Sequence, residues 1–281
     1  MELVRTVTSD NLSFYRTSHI FENYGEFETI DQFREYCHWA KENNCNIYIL
    51  GNGSNTLFVH KKIKSLILKN KLPKTINVLS ENRLEVYSSV LVIDVLKYCQ
   101  KNSLNSFYYL ASVPATIGGA LAMNAGRGRR HGLTIYDFVE SVVVFDFENS
   151  CLKTLNKKEI VKGYRETIFT GSQSCLILSA TFGFNPITLE SNPIAERCKW
   201  SKKAQDYSAP NCGSVFKVAD SRILKRLKGL WIGQSGFSTR TTNWILNKST
   251  NSNSILILIA IAKLLHILLR KKAELEIITV D

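Results

Sequence analysis

The sequence predicts an α+β protein in which a two-part α/β region is followed by a smaller α+β domain. Three observations lead there. Helix-like spacing of apolar residues alternates with short apolar runs over the first 186 residues; two turn formers, Asn185-Pro186, then interrupt the pattern; and the remainder closes with one long apolar helix and a final strand. At 281 residues and 44% hydrophobic content, the chain is long enough for two or three packed units.

The elements follow in order. Residues 1–70 read as a small α/β unit. Within it Thr29–Asn44 is a helix, with Ile30, Phe33, Tyr36, Cys37 and Ala40 at helical spacing. Ile47–Leu50 is a strand running into a glycine-rich turn, and Phe58-Val59 and Ser65–Leu68 are further strands. Residues 71–186 form a second unit. Here Leu84–Tyr87 starts as a strand, Val90–Lys101 is a helix, and Ser141–Phe145 and Cys175–Phe182 belong to a mixed sheet. Residues 187–281 form the third. It opens on a helix near Glu190–Arg197 and ends with an apolar helix, Ile255–Leu269, and a strand, Leu275–Val280. Ser252 or Ser254 is the expected N-cap of that helix, and Arg270-Lys271-Lys272 closes it as cations suit a helix C-terminus. Fifteen residues interrupted by Lys263 and His266 are too few for a membrane span, so a buried helix is expected.

Composition narrows the partners. Thirty-six basic and 24 acidic residues give +12, which favours an anionic partner (a dinucleotide, a sugar nucleotide, nucleic acid or a membrane surface) or reflects a basic surface with no assigned role. The charge is scattered and its densest arginine cluster, Arg127–Arg130, holds only three, so nucleic acid is not expected. Seven widely spaced cysteines with no CxxC pair, and five histidines with no HExxH, suggest no metal site. Unpaired thiols, and no apolar signal stretch in Met1–Asp10, point to the cytoplasm.

Four segments carry chemistry. Gly51-Asn52-Gly53-Ser54-Asn55 follows a strand directly. Its glycines can turn successive N–H groups toward one point, with Ser54 and Asn55 as short side-chain donors, which suits a pyrophosphate; a plain tight turn is the alternative. In Pro114-Ala115-Thr116-Ile117-Gly118-Gly119, continuing to Asn124-Ala125-Gly126, small residues let main chain approach a flat ligand, or let a helix approach a strand. Tyr164-Arg165 offers a guanidinium that alone would read as a surface salt-bridging residue. Gly213-Ser214-Val215-Phe216-Lys217 offers a hydroxyl that alone would read as a turn into a strand. With Glu276, these supply the hydroxyl, cation and carboxylate needed to protonate a carbon and stabilise enolate-like charge.

In that order the segments resemble the UDP-N-acetylenolpyruvoylglucosamine reductases, the MurB flavoproteins of peptidoglycan synthesis, and the resemblance runs from Asn11 to Glu276. It implies a two-part FAD-binding region of the MurB/vanillyl-alcohol-oxidase type (residues 1–70 and 71–186) and a substrate domain (187–281). It further implies FAD as cofactor, NADPH as hydride donor, a UDP-sugar substrate and a monomer. Gly51, Asn52, Gly53, Ser54, Asn55, Pro114, Ala115, Thr116, Gly118, Gly119, Asn124, Ala125 and Gly126 would hold the cofactor. Arg165 would polarise the substrate carboxylate, Ser214 would supply a proton with Lys217 or the Gly213 backbone beside it, and Glu276 would complete the catalytic set, with Glu274 as the competing register. The chain departs from the family pattern at Ala115, where glycine is usual, and at Thr167, Val218-Ala219 and Thr241. Alanine at 115 either accepts the same backbone shape or shifts the loop. Two other readings share the residues: a paralogue reducing another enolpyruvyl sugar, and a non-catalytic FAD- or nucleotide-binding protein.

Overall fold

The computed structural model describes residues 3–171 and 174–281, so Met1 and Glu2, part of the stretch read above for a signal sequence, lie outside it. It resolves into two compact units interleaved along the chain. One comprises the chain through Tyr24, Gly53–Ile67 and Lys202–Asp281; the other comprises Gly25–Asn52 and Leu68–Ser201. They are units of compactness, whereas the sequence-based segments are consecutive and functional.

The unit holding Gly25–Asn52 and Leu68–Ser201 is built on a five-stranded sheet in the order Cys151–Leu155, Val139–Asp146, Cys175–Gly183, Arg83–Tyr87, Ile76–Ser80. Every pairing in it is antiparallel, which corrects the expected mixed sheet. Short connections explain two of the four pairings: residues 81–82 and 147–150 are too few to bring a strand back parallel, which takes a dozen or more residues. Val142 faces Leu155 on one side and Ala180 on the other, and Ala180 faces Val86, so one row of small and branched residues crosses the sheet into the core. Against that row lies the helix Val92–Lys101, which buries Val92, Val95, Leu96 and Cys99 at the spacing of one helical face. Phe107 packs among Phe138, Phe182 and Phe184 with ring centroids 5.8, 5.6 and 6.2 Å away. The helix Ile30–Glu42 begins where expected, because the Thr29 hydroxyl accepts from the Gln32 amide at 3.1 Å.

The other unit packs the helix Asn253–Leu268 over the helix Ser221–Leu227 and a three-stranded antiparallel sheet, Trp231–Ile232, Ser235–Phe237 and Ile245–Asn247. Its core joins Val215, Phe216, Leu224, Phe237, Leu258 and Ile259 to Tyr15 and Leu57. Two expectations for the late helix need correction. Ser252 occupies the cap position but makes no capping bond, because its hydroxyl donates to the Val59 carbonyl at 3.1 Å. The helix is also buried on only one face: Ile255, Leu258, Ile259, Ala262 and His266 are inside, while Ile257, Leu264, Ile267 and Leu268 are exposed. His266 is no interruption, since its ring nitrogens pair with the Ala262 carbonyl at 2.7 Å and the Asp220 amide at 2.9 Å. Among the described residues no helix is long and apolar enough to cross a membrane.

The single C-terminal strand expected from the sequence is two. Glu274–Leu275 pairs antiparallel with Phe216–Val218, and Ile278–Val280 pairs parallel with Thr56–Phe58. The chain changes partner at Glu276-Ile277, whose amides both point at the Val215 carbonyl (2.8 and 3.4 Å) before Ile278 donates to the Asn55 carbonyl at 2.9 Å.

Candidate active site

In the unit of the five-stranded sheet, the two glycine-rich segments meet. The Asn52 amide donates to the Pro114 carbonyl at 2.7 Å, and a Cβ on Gly51 would lie 2.8 Å from the Thr116 hydroxyl. Lys69 reaches the Gly51 carbonyl; burial, then the neighbouring Lys71, lowers its ammonium pKa, with Glu26 opposing. Ala115 is not among the residues with a left-handed φ, so the position that is usually glycine asks nothing here that alanine cannot give. The amides of Ala115, Ile117 and Gly118 bond to the carbonyls of Val113, Val90 and Ser88, and the Thr116 hydroxyl caps Gly119. Gly118 is small for packing: a Cβ there would stand 2.9 Å from Cβ of Ser88. The close approach of the turn at Ser88 therefore accounts for the glycine at 118.

Further along the segment, and close to it in sequence, polar atoms are buried without partners among the described residues. Asn124 is buried with φ +44° and donates to the Gly163 carbonyl at 2.9 Å, yet its Oδ1 has no hydrogen-bond partner among the described residues. The Tyr109 hydroxyl is in the same condition. Burial, reinforced by Asp137 and opposed by Arg165, drives its pKa far above the usual phenol range. Buried polar atoms are nearly always partnered in a filled structure. A flat heterocycle edged with N–H donors and carbonyl acceptors, as a flavin is, supplies partners of both kinds, so the chemistry of these residues fits FAD.

Arg165 is no surface residue. It is 8% exposed, has φ +57°, donates to the carbonyls of Asn124 (2.8 Å) and Gly126, and stacks 4.8 Å over the ring of Tyr164. Fixing a long side chain at both backbone and head gives a guanidinium that need not reorganise when charge appears near it. Thr167, where serine is usual, uses its hydroxyl on the Ala122 carbonyl at 2.7 Å, a bond either residue makes.

The other unit carries the remaining candidates. Gly53 has φ +70°, and a Cβ on it would lie 2.1 Å from the Leu12 carbonyl oxygen, so this turn admits only glycine. The amides of Gly53, Ser54 and Asn55 have no hydrogen-bond acceptor among the described residues. The Asn55 side chain is directed elsewhere, donating to the Glu276 carbonyl at 3.0 Å. Gly213 turns at φ +75°, and Ser214 bridges to Trp244. Asn243 then grips the strand: its carbonyl accepts from Val215 (2.9 Å), its Oδ1 accepts from the Phe216 amide (3.0 Å), and its Nδ2 donates to the Phe216 carbonyl (2.8 Å). The Glu276 amide bonds to the Val215 carbonyl at 2.8 Å, which places Glu276 against the residue that follows Ser214. Glu274 is engaged differently, its carboxylate bridging Lys217 (3.8 Å) and Lys272. Thr241, where histidine is frequent in the resemblance, is absorbed in a knot: its hydroxyl accepts from the Asp206 amide at 2.7 Å and its amide donates to Ser238. Nearby Cys212 is inert, its thiol pushed up to about 12 by burial.

Sequence reasoning passed over Asn243, Tyr109 and Lys69. Asn243 carried one usable signal, an asparagine able to take its φ of +73°; an orphaned tyrosine hydroxyl and a lysine reaching a turn carbonyl have none.

The class is that of a flavoprotein, since residues 24–155 match the family model for an FAD binding domain. The protein is 30% identical over 265 residues to the UDP-N-acetylenolpyruvoylglucosamine reductase of Prochlorococcus marinus subsp. pastoris, covering 89% of this chain and 88% of that one. It is 28% identical over 272 residues to the enzyme of the same name from Aquifex aeolicus, covering 94% and 90%. The crystal structure of UDP-N-acetylenolpyruvylglucosamine reductase (MurB) from Thermus caldophilus superposes with a TM-score of 0.79 over 99% of this chain and 100% of that one, at 19% identity, so the two share a fold. The chain belongs to the UDP-N-acetylenolpyruvoylglucosamine reductase family.

Proposed function

We propose that this protein is an FAD-dependent oxidoreductase that uses NADPH to reduce the enolpyruvyl ether of UDP-N-acetylglucosamine to UDP-N-acetylmuramate, a step of peptidoglycan precursor synthesis. The observation that carries the reading is family membership across 89% of the chain. Bound FAD supplies the hydride relay between NADPH and the terminal carbon of the enolpyruvyl group. The remaining work belongs to this chain.

Gly51–Asn55, Pro114–Thr116, Gly118-Gly119 and Asn124–Gly126 hold the cofactor; the Gly53–Asn55 amides suit its pyrophosphate, and the Asn124 carbonyl oxygen suits a ring N–H. Arg165 grips the substrate carboxylate and stabilises the enolate-like charge that develops on it, its planar guanidinium being suited to a carboxylate. The Ser214 hydroxyl delivers a proton to the carbon next to the one that receives hydride, and Glu276 provides the carboxylate of the set. In this division residues 1–70 and 71–186 serve the cofactor and 187–281 the substrate, and the protein acts as a cytoplasmic monomer. Purified holoprotein supplied with NADPH and the UDP-linked enolpyruvyl sugar should oxidise one NADPH per lactyl ether formed. Failure to turn over that sugar, with turnover of another enolpyruvyl sugar, would move the protein to a different polysaccharide.

A further inference from the structure

One basic hairpin is left unused by these roles. Directly after Asn124-Ala125-Gly126 the chain makes a hairpin, with Gly126 opposite Thr134 and Arg127 opposite Leu133, and the turn between carries Arg129, Arg130 and His131. None of Arg127, Arg129, Arg130 and His131 has an ion-pair partner among the described residues, and all four are exposed. Like charges at such close sequence spacing repel, and no ion pair among the described residues offsets them.

The root of this hairpin is fixed. A Cβ on Gly126 would lie 2.0 Å from the Leu133 carbonyl oxygen, so only glycine lets the two strands close. The Arg165 guanidinium holds the carbonyls of Asn124 and Gly126, and Ile135 donates to the Ala125 carbonyl at 2.8 Å. The tip is tied to the same place, because Arg129 packs 4.8 Å from the centre of the Tyr164 ring that Arg165 also covers. An arginine laid on an aromatic ring is oriented in advance, with its planar fork available to an oxyanion.

We propose that the hairpin Gly126–Thr134 is a phosphate-binding loop for a nucleotide reactant, with Arg129 and Arg130 as its principal contacts. The ligand chemistry is a phosphate ester, and it has two sources: the 2′-phosphate of NADPH and the diphosphate of the UDP-sugar. Choosing these reactants rests on the reductase reading; the loop itself does not.

The test is calorimetric titration of flavin-loaded protein with 2′,5′-ADP and, separately, with UDP, using the parent, Arg130→Gln, and the Arg129→Gln/Arg130→Gln double variant. The parent should bind at least one probe, more weakly as salt is raised. The double variant should bind that probe about tenfold or more weakly, the scale of one charge-assisted hydrogen bond, with flavin content unchanged. A loss confined to 2′,5′-ADP assigns the loop to NADPH, and a loss confined to UDP assigns it to the sugar nucleotide. Arg130→Gln, whose side chain has no ion-pair partner to lose, reads the same effect should the double variant fold poorly. Parent-like affinity for both probes in both variants, or a parent that binds neither, overturns the proposal. Neither readout needs turnover, so absence of reductase activity with intact, arginine-dependent binding would fault the reductase reading alone.

Discussion

Replacing Arg165 with lysine keeps the charge and removes the geometry. The guanidinium donates at once to the carbonyls of Asn124 (2.8 Å) and Gly126 from a site only 8% exposed. A single ammonium on a shorter stem cannot span both, so one carbonyl is left buried without a donor. Such a group costs about 1–3 kcal/mol. For a chain this long each kcal/mol moves the melting temperature by about 2–4 °C, so the variant should melt roughly 2–12 °C lower. Turnover should fall further than stability requires. A fixed donor aimed at developing charge is worth about 10²–10³ in kcat, and the lysine would have to leave its remaining carbonyl to act. Differential scanning calorimetry and steady-state kinetics on the same flavin-loaded preparation separate the two effects. Parent-like melting would refute the two-carbonyl anchor; a lowered melting temperature with unchanged kcat would leave Arg165 as a structural pin with no part in the reaction.

Three further outcomes follow from the same geometry. Gly53→Ala should destabilise much more than Gly132→Ala: both have positive φ, but a Cβ at 53 meets the Leu12 carbonyl oxygen at 2.1 Å, whereas at 132 nothing lies within 4 Å. Equal melting temperatures would contradict the forced turn. Glu276→Gln should slow turnover and leave stability near the parent, whereas Glu274→Gln, which weakens pairing with Lys217 and Lys272, should leave kcat close to the parent; the reverse pattern would move the catalytic carboxylate by two residues. Stability should fall on acidification in two stages. Burial lowers the pKa of His19 despite its contact with the His60 carbonyl, so its contribution is complete above about 6.5 and is lost as pH falls below it. The Arg222 side chain, then its backbone amide, holds Asp220 down to about 2, so that contribution is complete above about 3.9 and is lost as pH falls through about 2. A melting temperature that does not fall between pH 7 and 5, or one unaffected there by His19→Gln, would contradict the first stage.

Much of this was legible in the sequence because it is written in apolar spacing. The helix Ile30–Glu42 buries Phe33, Tyr36 and Ala40 of the five residues its periodicity marks, the helix Val92–Lys101 lies within the expected span, and the expected runs Ser141–Phe145 and Cys175–Phe182 fall in the strands Val139–Asp146 and Cys175–Gly183. Ile76–Ser80 and Cys151–Leu155 escaped notice for the complementary reason. They are edge strands with largely exposed side chains, and their pairing is a property of the neighbour more than of their own composition. The late helix was misjudged on the same grounds: an almost continuous apolar run does not say that Leu264, Ile267 and Leu268 face outward. At the site, glycines announced tight backbone, but only coordinates tell a glycine forced by its neighbours, as Gly53, Gly118 and Gly126 are, from one kept small for a ligand. That Asn55 turns its amide to the Glu276 carbonyl, 221 residues away, is likewise outside the reach of local pattern.

The central claim is that this chain reduces an enolpyruvyl ether with Ser214 as the proton donor, and stopped-flow spectroscopy of Ser214→Ala at the flavin band tests it most directly. Loss of flavin colour on mixing with NADPH requires no proton from Ser214 and should match the parent. Return of colour on mixing the reduced protein with the UDP-enolpyruvyl sugar requires carbon protonation, and removing a positioned acid costs about 10²–10⁴-fold; it should slow by the upper end of that range. Equal slowing of both phases would point to a disturbed fold, and a parent-like return of colour would remove Ser214 from the reaction and contradict the account.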